Sequence, residues 1–246
     1  SGNIAGQVWK TATDGLLRKY EYTFDRMNRL TEADYAAPAG TSEDFSVTGI
    51  DYDLNGNITG LDRKGTTSEG PDATRWQYGY IDRLSYVYYQ AGGLSNRLDH
   101  VRDNSGTQGT RADFKDNGAT GTGDYSYDAN GNLTGDANKG ITSITYNRLN
   151  LPGHIVFEGN REILYLYDAA GTKLRKTVKE GGQVTGVTRY MGAVVYSGEE
   201  PEFVHLPNGR ALPGAGGRFM YEYHLKDHLG NLRLAYAENP HDRWVV

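Results

Sequence analysis

The 246-residue chain contains no cysteine. Disulfides and thiolate metal sites are excluded, and neither redox compartment is favoured. Proline is scarce, with 7 copies against 33 glycines, so the breaks in the chain read as tight turns rather than a disordered proline-rich tail. No apolar run approaches the roughly 18 residues of a membrane span. Clustered Lys and Arg are also missing: the net charge of −5 is spread along the chain, which argues against a nucleic-acid surface. The one dense basic run, Lys173–Lys176, is interrupted by Leu174 and reads as a solvated strand face. Phenylalanine and methionine are few, at 6 and 3 copies, whereas tyrosine has 19. Tyrosine joins a large apolar body to a polar tip and suits half-buried sheet faces.

What the chain does have is period-2 alternation of aromatic and β-branched residues. Tyr20, Tyr22 and Phe24 show it, as do Trp76, Tyr78 and Tyr80, then Ile163, Tyr165 and Tyr167, then Tyr221, Tyr223 and Leu225. Such alternation marks half-buried strands. No segment combines a helical period with a cap at each end, so helix is at most a minor component.

The strands end at a recurring punctuation: an aromatic residue, Asp, two variable residues, Gly or Asn, then an apolar position. The clearest copies run from Tyr52-Asp53 through Gly56 to Ile58, and from Tyr127-Asp128 through Gly131 to Leu133. Phe24-Asp25 keeps the register with Asn28 in the glycine slot, and Tyr167-Asp168 keeps Gly171. Weaker copies are Tyr80-Ile81-Asp82, Arg102-Asp103 with Gly106, and Tyr146-Asn147. Near the C-terminus, Asp227-His228-Leu229-Gly230-Asn231 repeats the spacing. The steps between successive units are 28, 28, 22, 25, 19 and 21 residues, a loose repeat of strand–turn–strand units. Asp accepts hydrogen bonds from backbone N–H groups just ahead of it, and Asn-Gly tolerates the positive φ of a tight reversal. Asp14-Gly15, Asn117-Gly118 and Asn208-Gly209 signal further reversals. Ala36–Ser46, Gly65–Ala73 and Asp103–Gly123 interrupt the pattern and read as loops, the last one long and exposed.

A calcium loop is the sharper reading of the Asp-x-Asn-Gly-Asn units, because oxygen ligands fall at alternate positions. An EF-hand places Gly sixth and Glu twelfth. Counted from Asp128, Gly131 is fourth and the twelfth residue is Lys139, so turn chemistry is the better account. His224 and His228 flank Asp227 and suggest zinc, yet four residues along a strand separate side chains by roughly 13 Å. There is no Gly-x-Ser-x-Gly elbow, and 31 acidic residues single out no glycosidase pair.

The Tyr-Asp-x-x-Gly-Asn-Leu-Thr units resemble the YD repeats of the Rhs and teneurin superfamily. Tyr221–Tyr236, YEYHLKDHLGNLRLAY, resembles the Rhs repeat-associated core, with Asp227, His228, Gly230, Asn231 and Arg233 on its signature. Asp136–Pro152 is similar to its usual neighbour in the Bacteroidetes type of the family. The resemblance implies an all-β fold: a curved antiparallel spiral of β-hairpins, as a partial shell or open ribbon, forming one domain over residues 1–246. It implies a structural, non-enzymatic shell segment of a secreted or surface polymorphic-toxin protein, enclosing or presenting a C-terminal cargo. The implied partners are the rest of the shell and that cargo, with self-association through open sheet edges and no cofactor. The family's autoproteolytic step goes with an Asp-Pro-x-Gly motif, and none of the 7 prolines here follows Asp. A glycan-binding or adhesion module is the alternative, with Trp9, Trp76 and Trp244 as stacking residues.

Overall fold

A computed structural model describes residues 2–237 apart from 11, 13, 71–75, 90–94, 107–112, 118–122 and 228. Two compact units, Ser1–Gly140 and Ile141–Val246, make up the chain. The first holds β1 (Gly6–Lys10), β2 (Leu17–Phe24), β3 (Leu30–Ala36), β4 (Val47–Tyr52), β5 (Ile58–Ser68), β6 (Gln77–Tyr88) and β7 (Leu98–Asp103). These seven strands lie in sequence order, each antiparallel to the next. A hairpin of β8 (Tyr125–Tyr127) and β9 (Leu133–Asp136) follows, and a single 3-10 turn over Ala137–Lys139 comes after it.

The second unit continues with β10 (Ile141–Tyr146), β11 (Pro152–Phe157), β12 (Arg161–Tyr167), β13 (Lys173–Glu180) and β14 (Gln183–Met191). Then come β15 (Val194–Ser197), β16 (Glu200–Leu206), β17 (Gly209–Pro213), β18 (Phe219–Lys226) and β19 (Leu232–Ala237). Each again pairs antiparallel with its sequence neighbour. No α-helix occurs among the described residues. The fold is all-β and antiparallel, as the alternation predicts. In β2 the exposed and half-buried positions alternate strictly along LRKYEYTF, so one face is solvated and the other is packed.

Fully buried apolar side chains are few, and most of them lie in the first unit. Tyr35, Ile50, Ile81, Leu84 and Val101 are there, against Ile144, Val195 and Ala211 in the second. With so little enclosed apolar volume, the strand ladders and their turns carry much of the specificity of the fold.

Three expectations require correction. Gly65–Ser68 is not a loop but the end of β5, pairing with β6 from Gly65↔Gly79 to Ser68↔Gln77. Tyr80-Ile81-Asp82 is not a turn but the middle of β6, and the Asp82 carboxylate is fully buried. There it accepts hydrogen bonds from the Arg63 guanidinium and the Phe114 N–H. A buried carboxylate needs such donors, since an unpaired one is costly. Finally, of the expected loop at Asp103–Gly123, residues 107–112 and 118–122 lie outside the described residues, and 113–117 are exposed only in part. Asp116 accepts from the Asp103 N–H at 3.2 Å and pairs with Arg102, and the Asn117 amide donates to the Asn138 carbonyl at 2.9 Å. Polar composition suggests solvent, whereas these side chains pin residues 113–117 onto the end of β7 and the 3-10 turn.

At Gly209 β17 has no room for a side chain against β18: a Cβ there would lie 1.9 Å from the Glu222 carbonyl oxygen. Gly209→Ala is expected to push β17 off β18 and lower stability by about 1–3 kcal/mol or more in denaturant unfolding. Gly153→Ala, whose Cβ would stand 3.7 Å from its nearest neighbour at ordinary contact distance, should leave the midpoint unchanged or slightly raised.

Candidate functional site: aspartate turns and tyrosine rungs

The Asp53 turn shows how the repeat is built. Gly56 N–H donates to the Asp53 carbonyl (3.1 Å), and Asp53 N–H donates to the Asn57 carbonyl (2.9 Å). Asp53 Oδ1 accepts from the N–H groups of Asn55 (2.9 Å) and Asn57 (2.8 Å), while Oδ2 accepts from the Asn57 side-chain amide (2.9 Å). Gly56 sits at φ 86°, the left-handed residue that follows a type I turn in a three-residue hairpin loop.

Asp128 repeats this arrangement with Asn130 and Asn132, and Gly131 again lies at φ 86°. Asp168 does so with Ala170 and Thr172, and Asp227 with Leu229 and Asn231. Asp25 uses Met27 and Arg29, with Asn28 at φ 62° in the glycine slot. The weak copy at Tyr146 proves complete. Asn147 Oδ1 accepts from Leu149 and Leu151, and Asn150 takes the left-handed position at φ 62°. An amide oxygen thus replaces the carboxylate, which a backbone-capping role tolerates. In each Asp turn at least one oxygen is satisfied by two protein N–H donors.

In four turns the carboxylate has a further partner from the fifth residue. Arg29 Nε reaches Asp25 Oδ2 at 2.7 Å, and the Asn57, Asn132 and Asn231 amides do the same elsewhere. At Asp227, Arg233 Nε joins them at 3.1 Å, so this signature arginine braces its own turn from an exposed position. Asp103 acts differently: it accepts from the Ser105 N–H and also from the Arg83 N–H of the neighbouring strand.

These hydrogen bonds hold the carboxyls below the usual range. At Asp128 and Asp227 the largest influence is the Asn132 or Asn231 side-chain amide; at Asp25 and Asp168 it is the Arg29 or Thr172 backbone N–H. At Asp53 burial acts most strongly and upward, but the Asn57, Asn55 and Gly56 donors together outweigh it.

The tyrosine before four of the reversals has a second role. Tyr52 Oη donates to the Leu30 carbonyl (2.7 Å), Tyr88 to Ile58 (2.8 Å), Tyr127 to Leu98 (3.0 Å) and Tyr167 to Pro152 (3.1 Å). Each acceptor is the first residue of the strand leaving the preceding turn; the Tyr127 rung joins β8 to β7 of a different sheet, and each of the other three lies within one sheet. At Leu30, Ile58 and Pro152 the ladder to the next strand starts only further along, at Ala33↔Val47, Gly60↔Ser85 and His154↔Leu164. The tyrosine hydroxyl fills the gap, and successive turns are stitched into rows. Arg29 also lies over the Tyr52 ring at 4.3 Å, and the Asn57 amide reaches Asn96 Oδ1 at 3.0 Å.

One rung was missed by sequence. Tyr88 pairs with Leu98, and Tyr89 N–H donates to the Arg97 carbonyl as the turn aspartates do. Tyr89 occupies the aspartate position and the loop is longer, so no Asp-x-x-Gly spacing betrays it. The available signal was the Tyr86, Tyr88 alternation running into a polar stretch before Leu98.

The remaining candidates do not converge. Trp9 stacks on Tyr20 at 5.6 Å, so one ring face is covered within its sheet. Trp76 lies just before β6, half-buried. Trp244 and His228 fall outside the described residues. His224 Nε2 lies 2.8 Å from Glu222 Oε1, beside Arg210.

No family model and no curated protein matches the sequence. Among solved structures the chain is similar to the Photorhabdus luminescens Tc holotoxin pore containing TccC3, with TM-score 0.54 and 12% identity, over 95% of this chain and 13% of that one. It is similar to TcdB2–TccC3 at TM-score 0.53 and 12% identity, over 96% of this chain and 14% of that one. For TcdB2–TccC3–Cdc42 the TM-score is 0.50 at 11% identity, over the same 96% and 14%. The fold resembles that part of these TccC3-containing structures. The chain spans only 13–14% of the length of the solved chains it matches.

Two predictions concern the turns and rungs. Carboxyls depressed in the folded state contribute stability that is complete above the unfolded Asp value of about 3.9 and is lost as pH falls through the folded values. Thermal midpoints should therefore drop on acidification below about pH 4. Replacing Asp25, Asp53, Asp128, Asp168 and Asp227 by Asn, as nature has at Asn147, should make that drop shallower. It should not abolish it, because Glu43, Asp44, Glu199 and Glu222 are depressed as well. Separately, Tyr→Phe at Tyr52, Tyr88, Tyr127 or Tyr167 removes one hydroxyl donor and should cost about 0.5–1.5 kcal/mol each in denaturant unfolding.

Proposed function

We propose that this chain is a wall segment of a toxin-like shell protein that encloses or presents a cargo domain. The observation that carries the reading is the match of 95–96% of the chain to TccC3-containing toxin assemblies, by two sheets of seven and twelve strands, in each of which the strands follow one another without a crossover. A wall requires identical joints that can be repeated, and the Asp turn with its tyrosine rung is such a joint. Each turn caps its own hairpin and also holds its neighbour, so the sheet end is sealed by hydrogen bonds rather than by a thick apolar core. On this reading the shell's remaining segments and a toxin-like cargo are the partners, and the parent protein is secreted or displayed at the cell surface. The role is structural, not enzymatic.

The experiment is limited proteolysis of the full-length parent protein, followed by mass spectrometry. A segment enclosed by the wall should be cut at least tenfold more slowly within the parent than as a free polypeptide. Cleavage at equal rates would refute enclosure.

A further inference from the structure

The ladder between β5 and β6 runs from Gly60↔Ser85 to Ser68↔Gln77, so Ile58 and Thr59 stand beyond its last pair. Where the two strands part, a cavity of about 230 Å³ opens beside the Asp53 turn. Tyr86, Tyr88, Tyr89, Thr59, Ser95 and Asp53 line it. Two of the rings are fixed by their hydroxyls: Tyr88 donates to the Ile58 carbonyl and Tyr89 to the Tyr125 carbonyl, both at 2.8 Å. Tyr89 also meets Tyr127 edge to face at 6.1 Å. The Asn57 amide joins two of the lining residues, reaching Asp53 Oδ2 at 2.9 Å and the Ser95 carbonyl at 3.3 Å. The walls are therefore held by the fold itself, as in a preformed ligand site, and the volume suits one small group.

The field in this cavity has one sign. At Asp53 burial pulls the carboxyl upward, but the Asn57 and Asn55 donors outweigh it, so the group is an anion at neutral pH. Burial and then the Asp53 charge push the Tyr88 hydroxyl up, and burial and then Asp99 do so at Tyr89. A field that discourages a phenolate favours a cation. Elsewhere in the chain aromatic faces already carry one: Arg29 lies over Tyr52 at 4.3 Å, Arg83 over Tyr80 at 3.9 Å and Lys173 over Tyr165 at 4.4 Å. Among the described residues no cation lies over Tyr86, Tyr88 or Tyr89. Asp53 already accepts three N–H donors, so a ligand is asked for positive charge rather than for further hydrogen bonds. A quaternary ammonium meets that demand, because it offers charge to aromatic faces without needing an acceptor. We propose that the cavity between β5 and β6 is a binding site for a trimethylammonium group, packed against Tyr86, Tyr88 and Tyr89 and neutralised by Asp53. The site stands independently of the wall-segment reading.

The test is titration of the chain with choline chloride, followed by amide NMR shifts. Millimolar choline should move Thr59, Tyr86, Tyr88 and Ser95 in a saturable way and leave Ile144 in place. Dimethylbutanol, in which carbon replaces the nitrogen of choline, should need about fivefold more, the loss expected for one cation–π contact. Asp53→Asn should weaken choline by about as much while keeping its turn, as the amide does at Asn147. Tyr86→Leu should weaken it similarly, whereas Tyr86→Phe, which keeps the ring, should not. Equal potency of dimethylbutanol would overturn the proposal, since the cavity would then select only apolar shape. Unsaturable shifts, or undiminished choline binding by Asp53→Asn, would also overturn it; that variant decides the matter if Tyr86→Leu does not fold. Two sources of the group give different results. Co-sedimentation with phosphatidylcholine but not phosphatidylglycerol vesicles assigns it to a lipid headgroup, and choline binding without co-sedimentation assigns it to a free solute.

Discussion

One carboxylate oxygen accepting two backbone N–H groups is the interaction on which the rest of this structure depends. A hairpin reversal leaves several N–H groups of the turn without ladder partners, and a short side chain at its first position can reach two of them. Asp53 and Asp128 do this with distances of 2.8–2.9 Å. Once the reversal is fixed, the residues before and after it are set opposite one another, as in Tyr52↔Ile58 and Tyr127↔Leu133. The register of the whole hairpin follows, because a slip of one residue would exchange its two faces.

The tyrosine ahead of the turn converts a local motif into a non-local one. Its ring packs with the sheet, while its hydroxyl reaches a carbonyl contributed by the previous turn. Burial raises the hydroxyls of Tyr88, Tyr127 and Tyr167, which keeps them protonated as donors. A chain rich in tyrosine and poor in phenylalanine is therefore intelligible: phenylalanine would supply the packing but not the rung. Phe24, the first aromatic of the series, lacks that hydroxyl, and Lys226 replaces the aromatic altogether at the last turn.

Polar groups inside the first unit show where this economy is supplemented. Asp124 accepts from the Val101 N–H at 3.1 Å and the Asn138 amide at 3.2 Å, and Asp136 caps the short 3-10 turn through the Lys139 N–H. With the Asp82–Arg63 pair, these carboxylates satisfy backbone and side-chain donors on strands and turns of the first unit. Unsatisfied, each would be expensive, so their presence ties otherwise separate segments to one arrangement.

The sequence by itself determined the antiparallel all-β class, the low helix content and the positions of five aspartate turns, because alternation and left-handed Gly or Asn positions are local properties of the chain. It also places Asn28 in the glycine slot, where its φ is 62°. Only the tertiary structure decided that Tyr80-Ile81-Asp82 is strand, since the fate of Asp82 depends on Arg63, 19 residues away in sequence. Only there do Tyr88 and Tyr89 emerge as a turn flank without an aspartate. Tertiary structure likewise decided the rungs. A tyrosine's choice of carbonyl partner 15 to 30 residues distant is set by which strands lie side by side, and no local spacing encodes it.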